Sequence, residues 1–213
     1  MAHIPHLYFP QPWGTDLALS PGQKNHLARV LRRADGSEVS YTDGAGAVGT
    51  GTLQTDVVVR GSECEVSRPH PTRRLAVAPL RSKDRNRMIV EKCAELGVEE
   101  LIWLHSRFGQ APPPSSARTR SWAIGALEQS RGAWLMQISG PQEIGSLPGQ
   151  LLIAEQTGAA CFPEGLDTYT ILIGPEGGFA ADELPAGVPR ISFSDRTLRT
   201  DTAAILAAGL VLK

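Results

Sequence analysis

Cysteine is scarce in this sequence, and the few cysteines are not arranged to bind one another or a metal. Cys64, Cys93 and Cys161 are odd in number, widely separated and free of any C-x-x-C spacing. This pattern excludes a disulfide framework and a structural zinc site. We therefore expect a protein of a reducing compartment, the cytoplasm, with no metal ion.

Long apolar runs are also absent. No segment reaches the ~18 apolar residues that a membrane-spanning helix needs, and residues 1–13 lack the apolar stretch of a signal peptide. Hydrophobic residues nevertheless make up 41% of the chain and charged residues 20%, which is ordinary for a folded globular protein. The sequence predicts a soluble protein with a packed core and no membrane partner.

The chain has no strong excess of either charge, since its formal net charge is -1. The distribution is more informative than the sum. Residues 73–131 hold eleven Lys and Arg against six Asp and Glu, whereas residues 132–213 hold four against nine. The basic excess peaks within residues 81–87, which predicts a phosphate contact, although a solvated helix face has the same composition.

Two regions differ in their pattern of residues. Residues 1–70 contain short β-rich pieces separated by turns, together with one helical segment at 24–33, and predict a small β-barrel. Pro69 and Pro71 favour a stiff, extended link. Residues 73–213 alternate apolar strand-like runs with helical patterns, which predicts a parallel sheet covered by helices. We expect an α/β protein with domains at 1–70 and 73–213.

Two helices of the second region carry expectations of their own. The clearest begins at Ser82, a possible N-cap, and ends at Gly97. The final segment, 202–212, is apolar nearly all the way around and needs burial on several sides. A second subunit would bury it, so a homodimer is expected; a central helix in a monomer is the alternative.

Residues 44–49 match the pattern G-x-G-x-x-G that marks many dinucleotide sites. That motif requires a helix to begin directly after the glycines, so that backbone amides face a pyrophosphate. Here Thr50 and Gly51 follow, and these residues rarely begin a helix. A tight hairpin turn starting at Asp43-Gly44 is the better interpretation.

A second glycine-rich segment, Gly-Pro-Glu-Gly-Gly-Phe at 174–179, follows the predicted strand 170–173. Ligands of open α/β sheets bind at the carboxyl ends of strands, and glycines allow the backbone to approach a ligand closely. Glu176 can accept a hydrogen bond from a ligand hydroxyl or brace the turn through nearby amides. The segment predicts a ligand-binding loop.

A further motif, Leu-Arg-Thr-Asp-Thr-Ala at 198–203, precedes the apolar final helix. Thr200 or Asp201 can cap that helix. Arg199 has no such structural role, because a guanidinium at this point needs an anionic or carbonyl partner. It is the first candidate for contact with a reacting nucleotide.

Together these motifs resemble the bacterial 16S ribosomal RNA uridine-N3 methyltransferases, the RsmE family of the SPOUT superfamily. The resemblance spans nearly the whole chain. Residues 26–32 and 41–44 are similar to the family's PUA-like RNA-binding barrel, and residues 83–98 to the first helix of its catalytic domain. The family usually has Leu-Gly at Phe193-Ser194 and Glu at Asp201.

The resemblance implies a fold, a cofactor and partners. The fold is a small PUA-like β-barrel followed by a SPOUT α/β domain with a parallel sheet and a deep trefoil knot, in a homodimer. The cofactor is S-adenosylmethionine, and the partner is 16S rRNA within the assembled small ribosomal subunit. The implied cofactor-binding residues are Ala154, Glu155, Ile173, Gly174, Pro175, Glu176, Gly177, Gly178, Phe179, Phe193, Leu198, Arg199, Thr200, Thr202 and Ala203.

The implied activity is transfer of a methyl group from the sulfonium to uridine N3, whose proton must leave. Alignment of two bound reactants can lower the barrier by ~7 to 11 kcal/mol, so a strong base is not obligatory. The candidate catalytic residues are Arg199, to stabilise negative charge on the ring, and Asp201 or Glu176, to accept the proton. The candidate RNA-binding residues are Arg29, Arg32, Arg81, Lys83, Arg85 and Arg87.

Two other functions fit the same sequence. A related SPOUT enzyme could methylate another position, such as a ribose 2'-hydroxyl, which also needs a positioning arginine. A non-catalytic rRNA-binding assembly factor could retain the fold, although the intact glycine loops argue against it.

Overall fold

The structure is a computed structural model that describes residues 4–68, 72–109, 111–159 and 165–210. The described chain forms two compact units. One contains the described residues of 1–68 together with Leu127–Leu135, and the other contains the rest. The predicted link at Pro69 and Pro71 and the residue Cys161 lie outside the described residues.

The described part of the first unit is built on a five-stranded sheet with the order β1-β3-β4-β5-β2. Its strands are β1 (His6–Tyr8), β2 (Asp16–Ala18), β3 (Glu38–Thr42), β4 (Ala47–Gln54) and β5 (Val57–Glu65). The sheet curls into a half-barrel instead of the closed barrel that we predicted. Its two edge strands, β1 and β2, are three residues long and do not pair with each other.

The turn between β3 and β4 confirms that the first glycine motif is a hairpin. Asp43 Oδ1 accepts hydrogen bonds from the amides of Ala45, at 2.7 Å, and Ala47, at 3.0 Å. Gly44 has a φ of 72°, a left-handed conformation that suits glycine. A strand, not a helix, follows the glycines, so the dinucleotide interpretation is excluded.

The predicted helix at 24–33 is divided in the structure. Helix α1 (Pro21–Asn25) begins after Ser20, whose side chain accepts from the amide of Gln23. A π-helical turn (His26–Val30) continues it. Because a π turn contains more residues than an α turn, Val30 is rotated away from the buried Leu27 and is 63% exposed.

The second unit confirms the predicted α/β class. Its described residues form a six-stranded parallel sheet with the order β11-β9-β10-β6-β7-β8. The strands are β6 (Thr72–Val77), β7 (Glu100–His105), β8 (Gln137–Glu143), β9 (Gln150–Ala159), β10 (Thr168–Ile173) and β11 (Arg190–Ile191). The helices are α2 (Lys83–Glu95) and α4 (Thr200–Leu210), together with α3 (Ser116–Ser130), whose last residues, from Leu127 onward, are counted with the first unit.

The segment Leu127–Leu135 belongs to the first unit, whereas the sequence prediction placed it in the domain 73–213. Glu128 explains part of this difference, because its side chain accepts a hydrogen bond from the amide of Tyr8 at 2.9 Å. His6 Nε2 lies 3.2 Å from the carbonyl oxygen of Gly132. These contacts join residues more than a hundred positions apart, so no local pattern predicts them.

Helix α2 begins and ends as predicted. The Ser82 side chain accepts from the amide of Arg85, and Gly97 follows the helix with a φ of 71°. Asn86, which is 3% exposed, fixes the segment after β6: its side chain accepts from the amide of Leu80 at 2.9 Å and donates to the carbonyl of the same residue at 2.6 Å.

Helix α4 packs against α2, β6 and β10. It buries Ala204, Ala207 and Ala208, while Leu210 is 49% exposed. Residues 211 and 212 of the predicted segment lie outside the described chain. Among the described helices, none has both the length and the apolar character needed to cross a membrane.

Candidate active site

A cavity of about 430 Å³ opens beside the middle of β9 and the carboxyl end of β10, and this volume lies in the range of small-ligand sites. Its wall is formed by residues 153–156 within β9, where the sequence predicted a loop after the strand, and by the segments that follow β10 and β11. Most of the predicted cofactor residues line it: Ala154, Glu155, Ile173, Gly174, Pro175, Glu176, Gly178, Phe179, Phe193, Leu198, Thr200 and Ala203. The exceptions are Gly177, Arg199 and Thr202.

The glycine loop after β10 is held in a tight turn. The amide of Gly178 donates to the carbonyl of Pro175 at 2.9 Å, and Gly178 has a φ of 71°. A Cβ atom added to Gly178 would meet no protein atom within 4 Å. The backbone here faces open space, which leaves room for a ligand to approach it.

The start of α4 is tied to this loop. The Thr200 hydroxyl donates to the carbonyl of Gly174 at 3.0 Å. The ring of Phe179 lies close to the backbone of Gly174, since a Cβ atom on Gly174 would lie 3.1 Å from this ring. Glycine at 174 thus permits close contact between the strand end and the ring.

The opposite wall of the cavity contains polar residues that the sequence prediction missed. The Thr197 hydroxyl donates to Gln156 Oε1, and Gln156 Nε2 donates to the carbonyl of Asp195, both at 2.8 Å. Glu155 forms an ion pair with Arg190. The other missed residues that line the cavity are Ile153, Ala181, Leu184, Ser192, Ser194 and Arg196.

A signal for this wall was present in the sequence. The two residues named from the resemblance, Phe193 and Leu198, bracket the missed loop at residues 194–197. The sequence did not predict that this loop contacts Gln156 of β9. Strand β11, which pairs with β9 just before the loop, is only two residues long and gives a weak pattern.

Arg85 joins the glycine loop to α4. Its guanidinium donates to both carboxylate oxygens of Asp201, at 2.8 and 2.9 Å, and to Glu176 Oε1 at 3.2 Å. The hydrogen bonds from Arg85 lower the pKa of the Asp201 carboxyl, and the same contacts raise the pKa of Arg85. The Asp201 side chain is 13% exposed and Glu176 is 60% exposed. Both oxygens of the Asp201 carboxylate are therefore engaged by Arg85, and the Glu176 carboxylate is the one more accessible to solvent or a ligand.

Arg199 lies directly before α4 and outside the cavity wall. It is exposed, and its side chain has no hydrogen-bond or ion-pair partner among the described residues. An unpaired guanidinium beside a ligand cavity is available to an incoming anionic or carbonyl group.

The candidate RNA-binding residues fall into two sets. Arg29 and Arg32 belong to the first unit, in and just after the π-helical turn, and both are exposed. Arg81, Lys83 and Arg87 lie around the beginning of α2 and are exposed, although Arg87 pairs with Glu91 at 2.7 Å. Arg85 differs from these residues, because its charge is directed to Asp201 and Glu176.

Over residues 4–68, 72–109, 111–159 and 165–210, no group of three or more His, Cys, Asp or Glu side chains is placed to hold a metal ion.

Comparisons with known proteins agree with the geometry. The sequence profile described as the RNA methyltransferase domain matches residues 68–212. The ribosomal RNA small subunit methyltransferase E of Mycobacterium tuberculosis (strain CDC 1551 / Oshkosh) is 28% identical over 220 residues, covering 87% of this chain and 82% of the relative. The sequence resemblance is thereby confirmed.

Solved structures show the same fold. A probable rRNA-methyltransferase from Porphyromonas gingivalis has a TM-score of 0.80 and 25% identity, covering 98% of this chain and 97% of that one. A ribosomal RNA small subunit methyltransferase E from Neisseria gonorrhoeae, bound to S-adenosyl methionine, has a TM-score of 0.79 and 22% identity, covering 98% and 97%.

Proposed function

This chain belongs to the RNA methyltransferase domain family, and we propose that it transfers a methyl group from S-adenosylmethionine to N3 of a uridine in small-subunit ribosomal RNA. One observation carries the proposal. Segments that are distant in sequence, and that the family resemblance marks as cofactor-binding, form one cavity of about 430 Å³ beside β9 and the carboxyl end of β10.

The residues of this cavity suit S-adenosylmethionine. Gly178 leaves open space where a side chain would otherwise stand, so a ligand can reach the backbone. Phe179, Leu184 and Leu198 supply apolar surface for a base, and the polar wall at Gln156 supplies hydrogen-bonding groups. S-adenosylmethionine supplies an electrophilic methyl group on a positively charged sulfur.

The protein's own residues hold and prepare the acceptor. Glu176 is exposed and only one of its oxygens is hydrogen bonded to Arg85, so we assign it the role of accepting the proton from uridine N3. Asp201 is a poor proton acceptor, because its two oxygens are already hydrogen bonded to Arg85. Arg199 stabilises the negative charge that the uracil ring acquires when N3 loses its proton.

RNA binding divides between the two units. The exposed cations Arg29, Arg32, Arg81 and Lys83 are available to phosphates, which dominate affinity for nucleic acids. Arg85 is assigned a different task from the one that its charge suggested, since it holds Asp201 and Glu176 in place. We propose 16S rRNA in the assembled small subunit as the substrate.

The knot and the dimer belong to the same proposal. The trefoil knot is proposed from the resemblance to the SPOUT methyltransferases. The exposed Leu210 at the end of α4 and Met88 on α2, which is 46% exposed, support burial by a second copy. Light scattering tests the dimer, and a mass of 22.8 kDa would contradict it.

The activity is tested by incubating the protein with methyl-labelled S-adenosylmethionine and small ribosomal subunits that lack the modification. The rRNA is then digested to nucleosides and separated. We expect the label in 3-methyluridine. Label in a 2'-O-methylated nucleoside would support the ribose alternative, and absence of transferred label would support a non-catalytic binding factor.

A further inference from the structure

A second cavity of about 390 Å³ lies beside the first one. We propose that it seats the acceptor uracil and that the ring of Phe108 stacks on this base. The proposal deepens the proposed function and rests on it. The lining residues come from the ends of β6, β7 and β10 and from α2: Pro79, Leu80, Arg81, Ser82, Arg85, Phe108, Gly109, Ala111, Pro175 and Glu176.

The position of this cavity suits a methyl acceptor. Pro175 and Glu176 line both cavities. A base in the second cavity and a cofactor in the first would therefore both contact these two residues. Methyl transfer requires the acceptor atom and the methyl group to be adjacent. The two cavities thus meet at Pro175 and Glu176, directly after the carboxyl end of β10, and this is the place where the two reactants would come together.

The loop that carries Phe108 is held in place although the ring is exposed. Phe108 is 53% exposed, and a Cβ atom on Gly177 would lie 3.3 Å from its own Cβ. The preceding residue, Arg107, anchors the loop: its amide donates to Glu183 Oε1 at 2.6 Å and its guanidinium to Asp182 Oδ2 at 2.8 Å. An exposed aromatic ring on an anchored loop, at the edge of a polar cavity, is a platform for an unstacked base.

The polar groups of the cavity match the edge of uracil. That edge presents a carbonyl, the N3 hydrogen and a second carbonyl. Glu176 can accept from N3, while Arg85, which lies 3.2 Å from Glu176, can donate to a neighbouring carbonyl. Cytosine has no hydrogen on N3 and would not satisfy Glu176 in the same position.

The rim of the cavity matches a nucleotide and not an apolar partner. Arg81 is exposed and has no hydrogen-bond or ion-pair partner in the described chain, so its charge is available to the phosphate of the seated nucleotide. The segment that carries Arg81 is fixed through Leu80 by the two hydrogen bonds to Asn86. The backbone next to Arg81 is therefore already held in position before a nucleotide binds.

Substitutions of Phe108 separate stacking from packing. We expect Phe108→Ala and Phe108→Leu to lower kcat/KM for small subunits by about 10- to 100-fold, in the range attributed to base stacking. Phe108→Trp should stay within about threefold of wild type. Calorimetric affinity for S-adenosylmethionine should not change in any of the three. Full activity of Phe108→Leu would show that only apolar packing matters and would overturn the proposal.

Photo-cross-linking gives a measurement that does not depend on a variant. Small-subunit rRNA carrying 5-iodouridine is irradiated with the wild-type protein, and the linked peptide is sequenced. A cross-link to Phe108 supports the proposal, and cross-links only elsewhere overturn it. Failure of the wild type to methylate rRNA would overturn the proposed function, in which case the cross-link alone decides whether this cavity holds a base.

Discussion

Arg85, in the first turn of α2, donates two hydrogen bonds to Asp201, in the first turn of α4, and so pairs a predicted RNA contact with a predicted proton acceptor. Such bidentate contacts between arginine and a carboxylate are strong and geometrically specific. Glu176 is the third member of this cluster. The site is therefore built around an internal ion pair between two helices.

Removal of the Arg85 side chain should destabilise the fold. Asp201 would be left as a poorly solvated carboxylate, and we expect Arg85→Ala to lower the free energy of unfolding by about 1 to 3 kcal/mol, between the values for exposed and buried pairs. Urea unfolding of Arg85→Ala, Asp201→Ala and the double variant measures the coupling. Strictly additive losses would show that the pair contributes nothing.

Acid should weaken this ion pair. Arg85 holds the pKa of Asp201 in the folded protein below its unfolded value, so the pair stabilises the fold above the ordinary aspartate pKa of about 3.9. That stabilisation is lost as the pH falls through the folded-state value. The gap in unfolding free energy between wild type and Asp201→Asn should be largest near neutral pH and shrink in acid.

The same Asp201→Asn comparison in an Arg85→Ala background is the control. Without the guanidinium, the gap should depend much less on pH. A gap that widens on acidification of the wild-type background would show that the folded-state pKa is raised instead of lowered.

Gly178→Val should abolish binding of S-adenosylmethionine. The new side chain would project into the space that the cofactor is proposed to fill, and it would also strain the backbone by about 1 to 3 kcal/mol at a φ of 71°. Gly187→Val is a matched control, because Gly187 has a φ of 76° and equally open surroundings but does not line the cavity.

Calorimetry with S-adenosylmethionine and thermal melting distinguish the two effects. Both variants should melt at a lower temperature than wild type, and only Gly178→Val should lose the cofactor. Retained affinity in Gly178→Val would reject the placement of the cofactor against this loop.

Arg199→Ala should lower turnover far more than cofactor affinity. The guanidinium lies outside the cavity wall and is proposed to act on charge that develops during the reaction, so a fall in kcat of about 100- to 1,000-fold is expected. Steady-state kinetics with small subunits and calorimetry with S-adenosylmethionine measure the two quantities. An equal loss in both would place Arg199 in the cofactor site.

The sequence predicted those features that depend on local residues. Helix α2 was bounded correctly because Ser82 and Gly97 are explicit start and stop signals. The glycine loop at 174–179 was placed correctly after a strand, because its glycines follow an apolar run that forms β10. Strand β8 was missed, since residues 137–143 have no apolar alternation and are mostly exposed.

Features that depend on distant residues were not predicted. Arg85 and Asp201 are 116 positions apart, and each looked like an independent functional residue. The half-barrel was expected to close, because residue patterns reveal strands but not whether the two edge strands reach each other. In both cases the missing information was tertiary pairing.

The sharing of Pro175 and Glu176 by the two cavities has a thermodynamic consequence. In the proposed arrangement, with the cofactor in the first cavity and the acceptor base in the second, a ligand that shifts these residues in one cavity changes the wall of the other, so the two binding equilibria are linked. Linkage is reciprocal: the factor by which one ligand alters affinity for the second equals the factor for the reverse order. The glycine loop can thus make the affinities for cofactor and RNA interdependent without any change elsewhere in the fold.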